Sequence, residues 1–255
     1  MSRQALNKWY CAAPLPWLRG ARRLCNGFTL VEMAIVMLIV GLLLGGLLAP
    51  LSAQIDQQRN IETQKLLAEI KEALIGFAVA NGRLPCPAIS AASGAEKTDC
   101  TTLAADRQGY IPWAALGVAK LDSWGHIFSY SVTPAYATAG GIVLSPATTR
   151  DITIRTRDAT GIAANLSNAG DIPVVILSHG QNGYGSTDGG GVAQAVAPAT
   201  NIDETSNATS GTSFYSRTPT PVGYSQANGG EFDDIVVWIS PNILFSRMVA
   251  AGRLP

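Results

Sequence analysis

The stretch GFTLVEMAIVMLIVGLLLGGLLAPL, residues 27–51, decides the architecture. From Met33 to Ala49 it runs through seventeen residues that are all apolar or Gly, extended by Phe28, Leu30 and Val31 before it and by Leu51 after it. That is close to the ~20 residues a helix needs to span hydrocarbon. Residues 1–27 carry Arg3, Lys8, Arg19, Arg22 and Arg23 and no acid, whereas Asp56, Arg59, Glu62, Lys65 and Glu69 follow the run as a mixed-charge segment. Basic residues on the near side place the N-terminus in the cytoplasm and everything after about residue 53 outside. A cleaved secretory signal would have a shorter apolar region and a small-x-small site, which Leu51-Ser52-Ala53 fits poorly. A plain anchor explains the length and the flanking charges but not Glu32. A carboxylate inside a membrane helix costs about 2.5–3.5 kcal/mol near the centre, so Glu32 needs a partner.

Gly27-Phe28-Thr29-Leu30-Val31-Glu32, behind basic residues and ahead of the apolar run, resembles the class III signal of type IV prepilins and type II secretion pseudopilins. The matching features are a Gly before the cut, an aromatic residue after it, and Glu fifth from Phe28. The resemblance implies cleavage between Gly27 and Phe28 by prepilin peptidase, methylation of the new Phe28 amine, and retention of the apolar segment. It also implies assembly with other pilin or pseudopilin subunits on an inner-membrane platform, through pairing of Glu32 with a neighbour's amine. In low dielectric such a pair specifies register more than stability. Gly41, Gly45 and Gly46 permit close helix approach, and Pro50 is expected to bend or open the helix.

Past Pro50 an amphipathic stripe of Ile55, Leu66, Leu67, Ile70, Leu74 and Phe77 or Ala78 keeps mostly helical spacing, and Asn81-Gly82-Arg83-Leu84-Pro85 stops it. The chain therefore divides into a leader (1–27), a transmembrane half-helix (28–53), an amphipathic half-helix (54–83) and a β-rich periplasmic or extracellular head (84–255). The fold class is α+β, a long N-terminal helix packed on an antiparallel sheet. Strands are predicted at His126–Thr133, Ile142–Ser145, Asp151–Arg157, Ile172–His179 and Asp234–Ser240, each rich in β-branched or aromatic residues and bounded by turn formers. Gly180 to Gly230 is rich in Gly, Ser, Thr and Asn and reads as a long surface loop. Ser240-Pro241 supplies an N-cap and a first-turn proline for a short helix over Asn242–Ala250.

Three stretches of the head, Leu121-Asp122-Ser123-Trp124-Gly125, Leu177-Ser178-His179-Gly180-Gln181-Asn182-Gly183 and Phe232-Asp233-Asp234-Ile235-Val236-Val237-Trp238, are similar in type and order to turns of major pseudopilins. Ordinary turn and strand signals account for them equally well. The longer head, extra strands and final helix depart from the major subunit and point to a minor one. Major pseudopilins hold calcium near their C-terminus, so the resemblance implies Asp188, Asp203, Glu204, Asp233 and Asp234 as ligands, although their spacing matches no compact calcium loop.

Cys11 and Cys25 fall in the leader, leaving Cys86 and Cys100 in the exported part. An even pair in an oxidising compartment reads as a disulfide; two free thiols or half a metal site are the alternatives. His126 and His179 sit at strand ends and read as solvated or sheet-packed. No G-x-S-x-G, H-E-x-x-H, Walker loop or dinucleotide fingerprint occurs, so no catalytic residue is assigned. The 18 basic and 18 acidic residues cancel, and Arg217 is the only basic residue of the long loop, so no nucleic-acid partner is expected. The reading is a structural filament subunit. Its alternative is a membrane-anchored binding module, an adhesin or a receptor, that uses the Gly180–Gly230 segment.

Overall fold

The computed structural model describes residues 28–102, 104–143, 150–158, 160–209 and 211–254, with the side chains of residues 44 and 46–51 excepted. Gly27, Cys11, Cys25 and the end of the predicted strand at Ile142–Ser145 lie outside the described residues. The chain divides into two compact units, Met1–Leu51 and Ser52–Pro255. Helix α1 (Leu30–Asn81) belongs to both.

In the first unit every described side chain from Phe28 to Gly45 is exposed, among them Leu30, Met37, Leu38 and Leu42. An apolar surface of this kind marks a membrane or protein contact. The expected membrane-crossing half-helix is not reproduced: among the described residues no helix is long and apolar enough to cross a membrane. Part of the apolar run, residues 44 and 46–51, falls outside the side chains described.

The second unit is built around the rest of α1. Thr63, Leu67, Ile70, Leu74 and Ala78, spaced by three and four, form one buried face, while Lys65 and Glu69 are exposed. Ile55, placed on the stripe by its spacing, is exposed instead. Gly82, with φ of 74°, ends the helix in a left-handed turn. Next come β1 (Gln108–Tyr110), the single turn α2 (Trp113–Leu116) and β2 (Ser129–Val132). Then follow β3 (Thr153–Arg157), β4 (Ala163–Asn165) and β5 (Val174–Ser178). The chain closes with α3 (Ile202–Thr209), β6 (Ser213–Tyr215), β7 (Ile235–Ile239) and α4 (Pro241–Ala250).

The main sheet is antiparallel throughout, in the order β1-β2-β5-β7, and pairs Tyr130 with Ile176 and Val174 with Ile239. Its centre, β5, is buried on both faces, the physical meaning of the uninterrupted apolar run in IPVVILSH. Val174 and Ile176 pack with α1 residues Leu67, Ile70 and Leu74 and with Leu244 and Met248 of α4. Val175 and Leu177 face the other way, onto Ile152, Ile154 and Phe214. That second layer is a separate sheet in the order β4-β3-β6, where β3 and β6 run parallel, so the expectation of one antiparallel sheet holds only for the layer on α1. The Ser240 hydroxyl accepts from the Ile243 N–H and caps α4 behind Pro241, as predicted.

Cys86 and Cys100 form a disulfide with Cα atoms 5.6 Å apart, within the usual range. Glu96 closes the same loop by accepting from the Cys86 N–H and pairing with Arg83. The largest departure from expectation is the Gly180–Gly230 segment. It is not a surface excursion: it contains α3 and β6, and it buries Asn201, Asp203, Glu204, Asn207 and Phe214. Polar burial substitutes for the apolar stripe that would have announced a helix.

Candidate functional site

At the start of α1, the Thr29 carbonyl accepts the first helical bond, from the Met33 N–H at 3.2 Å, which makes Thr29 the N-cap. Its hydroxyl accepts from the Glu32 N–H at 3.2 Å, while Glu32 Oε2 accepts from the Thr29 N–H at 2.8 Å and the Thr29 hydroxyl at 3.0 Å. This is a capping box. Thr29-Leu30-Val31-Glu32 carries that signature in the sequence, hidden behind the question of a membrane partner for Glu32. Phe28 stands just outside the box and is 81% exposed.

In the head, the three turn stretches singled out in the sequence converge. Asp122 Oδ1 accepts from the Trp124 and His126 N–H groups, both at 2.9 Å, which shapes the first turn, and Asp122 Oδ2 accepts from the Ser178 hydroxyl at 2.6 Å. The second turn reaches the third stretch through the Asn182 N–H, which donates to Asp233 Oδ2 at 2.8 Å. Gly180, with φ of 60°, lies so close to the Asp233 carbonyl that a Cβ would have no room, so the approach of the two stretches depends on glycine. His179 is packed in the interior, whereas His126 is half-buried. The Ser129 hydroxyl and His179 Nε2 share a hydrogen bond at 3.0 Å, and His179 Nδ1 is 3.6 Å from Asp234 Oδ1, beyond hydrogen-bond reach. The order Ser129, His179, Asp234 has the form of a nucleophilic triad, but the His179 and Asp234 side chains are each 1% exposed and closed to substrate.

Where the third stretch meets α3, carboxylate oxygens of Glu204, Asp233 and Asp234 lie within 4.8 Å of one another. Glu204 is held by the side-chain amides of Asn182 at 2.9 Å and Asn201 at 3.0 Å and by the Asp233 N–H at 3.1 Å. Asp234 Oδ2 accepts from Asn207 at 2.7 Å. The Oδ1 atoms of both aspartates are buried with no hydrogen-bond partner among the described residues. Burial, reinforced by the neighbouring Asp234 and Glu204 charges, pushes Asp233 up to about 8. Burial and the Asp234 charge likewise raise Glu204 against the amides that favour its ionised form. Three carboxylates this close hold either protons or a cation. The two orphaned oxygens and an all-oxygen donor set fit a hard divalent cation such as calcium.

The other two predicted ligands are elsewhere. Asp203, with no side-chain exposure, is clamped by Arg157 Nε and Nη2 and by Arg217 Nε, all at 2.7 Å. Asp188 Oδ1 accepts from the Gly190 and Val192 N–H groups, each at 2.9 Å, and shapes a local turn. Sequence reasoning missed Asn182, Asn201 and Asn207 as supports of the cluster, along with Glu231, which touches the Asn182 and Asn201 amides at 3.5 and 3.4 Å. Only Asn182 stood in a quoted motif.

Residues 22–48 match the prokaryotic N-terminal methylation motif, the signature of type IV pilins and pseudopilins. This stretch covers Arg22 and Arg23, the Gly27-Phe28 junction, the capping box and most of the apolar run. No curated protein and no solved structure matches the chain. The motif supports a type IV pilin-like or pseudopilin subunit.

Proposed function

Starting from this motif, we propose that the chain is a minor subunit of a type IV pilus or type II secretion pseudopilus. Prepilin peptidase cuts after Gly27 and methylates the Phe28 amine; residues 28–53 hold the precursor in the inner membrane with its head outside, and assembly follows on the inner-membrane platform. The carrying observation is the methylation motif at residues 22–48, in register with a helix that begins directly after the cut. Glu32 pairs with the α-amine of a neighbouring subunit during assembly. The minor role is supported by the size of the Ser52–Pro255 unit, whose second sheet and α3 add a layer beyond a helix on one antiparallel sheet. Calcium, held by Glu204, Asp233 and Asp234, orders the junction of the three head turns. Its charge would offset carboxylates whose Oδ1 atoms the fold leaves unpartnered.

Mass spectrometry of the protein extracted from membranes tests the processing step. The mature chain is expected to begin at N-methylated Phe28. An intact N-terminus, or one near Ala53, overturns the reading.

A further inference from the structure

Residues at the end of β3 and in the segment after β6 enclose a cleft of about 290 Å³, lined among others by Thr156, Arg157, Arg217, Thr218, Tyr224 and Asn228. Its floor is fixed. Arg157 and Arg217 share Asp203, and their guanidinium carbons lie over the rings of Tyr215 and Phe232, 5.4 and 4.4 Å from the centroids. Beyond Asp203, Arg157 donates to the Gly161 carbonyl, and Arg217 donates to the Thr220 hydroxyl and the Gly230 carbonyl. A guanidinium has about five N–H donors. Three of those of each arginine are used within the fold, so the others remain for a ligand at no cost in ordering the side chain.

Around this floor stand the hydroxyls of Thr156, Thr218 and Tyr224 and the amide of Asn228, none with a side-chain hydrogen-bond partner among the described residues. Donors and acceptors are therefore interleaved around one small space. Charge decides what kind of ligand matches them. Two guanidiniums face two carboxylates, Asp203 beneath and Asp158 in the lining. The Thr160 hydroxyl and the Ile162 N–H hold Asp158 ionised, below its ordinary range. With the charges balanced, an entering phosphate or carboxylate gains no net field and meets the Asp158 charge. The volume is at the foot of the ~300–1,000 Å³ usual for small-molecule clefts, room for a single ring. Tyr224, 41% exposed, adds an aromatic face on which the C–H side of such a ring can rest.

We propose that this cleft binds one neutral, polyhydroxylated ring, a monosaccharide unit. Its hydroxyls both donate to the carboxylate and hydroxyl oxygens and accept from the spare guanidinium N–H groups. This site is additional to filament assembly: none of its residues belongs to the 22–48 motif, so processing after Gly27 and filament incorporation do not depend on it.

The test is a ligand-observed NMR titration of the purified full chain in a zwitterionic detergent without a sugar headgroup. The probes are glucose, galactose, mannose and N-acetylglucosamine, set against glucuronate and inorganic phosphate. Saturable binding of at least one neutral sugar is expected, with a dissociation constant on the order of 1–10 mM, and weakening of about tenfold or more in Thr156→Val and in Tyr224→Ala. Three results would each overturn the proposal. One is no saturable binding by any of the four sugars; another is binding of phosphate or glucuronate in their place; the third is sugar binding that both variants leave intact. Tyr224→Ala removes a side chain at the exposed rim and Thr156→Val keeps the shape of a half-buried one, so the test does not rest on a variant that disturbs the core.

Discussion

Thr29 and Glu32 satisfy each other: the hydroxyl of one takes the backbone N–H of the other, and the carboxylate returns the bond to the Thr29 N–H. Within a single chain the acid of the methylation motif is thus already a capping group. Capping and pairing with a neighbour's amine are separable because glutamine also fits a capping box. Glu32→Gln should therefore leave cleavage after Gly27 and the start of α1 intact while lowering filament incorporation at least about tenfold, the equivalent of about 1.4 kcal/mol. Glu32→Ala should lower it no less. Quantitative blotting of sheared filaments checks both. If Glu32→Gln incorporates like the native chain, Glu32 is a cap and not a charge partner.

Asp203 compensates two guanidiniums at once, and the Arg157 and Arg217 side chains are only 10% and 6% exposed. Removing one side of a buried ion pair strands the other, at a cost of about 3–5 kcal/mol. Asp203→Ala should therefore lower the unfolding free energy of the full chain by that amount, read as a lower urea midpoint, far more than removal of an exposed pair such as Lys65–Glu69. An unchanged midpoint would mean that the arginines find water when Asp203 is gone.

Some of this was legible in the sequence. The alternation of DITIRTR announced β3, and Ser240-Pro241 announced α4 almost to the residue. The unbroken run around β5 announced a strand without saying what lay on its second face. Helix α3 was invisible because its buried residues are Asp203, Glu204 and Asn207 and its Ile202 is exposed, the inverse of an apolar stripe. The parallel pairing of β3 with β6 joins segments about sixty residues apart, and no local pattern encodes such a register. For the carboxylate cluster, the resemblance to major pseudopilins implied five ligands. The structure gathers Glu204, Asp233 and Asp234 because three asparagines and a glycine turn hold them there, while arginines take Asp203.

The Cys86–Cys100 bond closes a loop of separation 14, which the Arg83–Glu96 pair also ties. A closed loop of this length is worth about 3 kcal/mol in the chain-entropy picture. Thiol labelling of the denatured, non-reduced mature protein should find neither cysteine reactive. The double change Cys86→Ser, Cys100→Ser should lower the unfolding free energy by about that amount. Labelling of both cysteines in the mature chain would contradict the bond in the exported protein.

Asp233 makes the head's stability depend on pH in a direction that calcium should reverse. Its folded value of about 8 exceeds the ordinary 3.8, so between those limits the unfolded chain has released a proton that the fold retains. Stability from this group is complete below the unfolded value and is lost as pH rises toward the folded one, with a slope of at most about 1.4 kcal/mol per pH unit. In EDTA the thermal midpoint of the full chain should therefore be lower at pH 8.5 than at pH 5.5, and Asp233→Asn should flatten the difference. A cation at Glu204, Asp233 and Asp234 competes with that proton. Millimolar calcium should accordingly raise the midpoint more at pH 8.5 than at pH 5.5, by an amount that grows with the logarithm of its concentration. Glu204→Gln and Asp234→Asn should remove the response, whereas Asp188→Asn should keep it, because Asp188 lies outside the cluster and shapes its own local turn. If calcium raises no midpoint at pH 8.5, the three carboxylates hold protons alone; if EDTA-treated protein is equally stable at both pH values, Asp233 is ionised in the fold and its burial is compensated by another group.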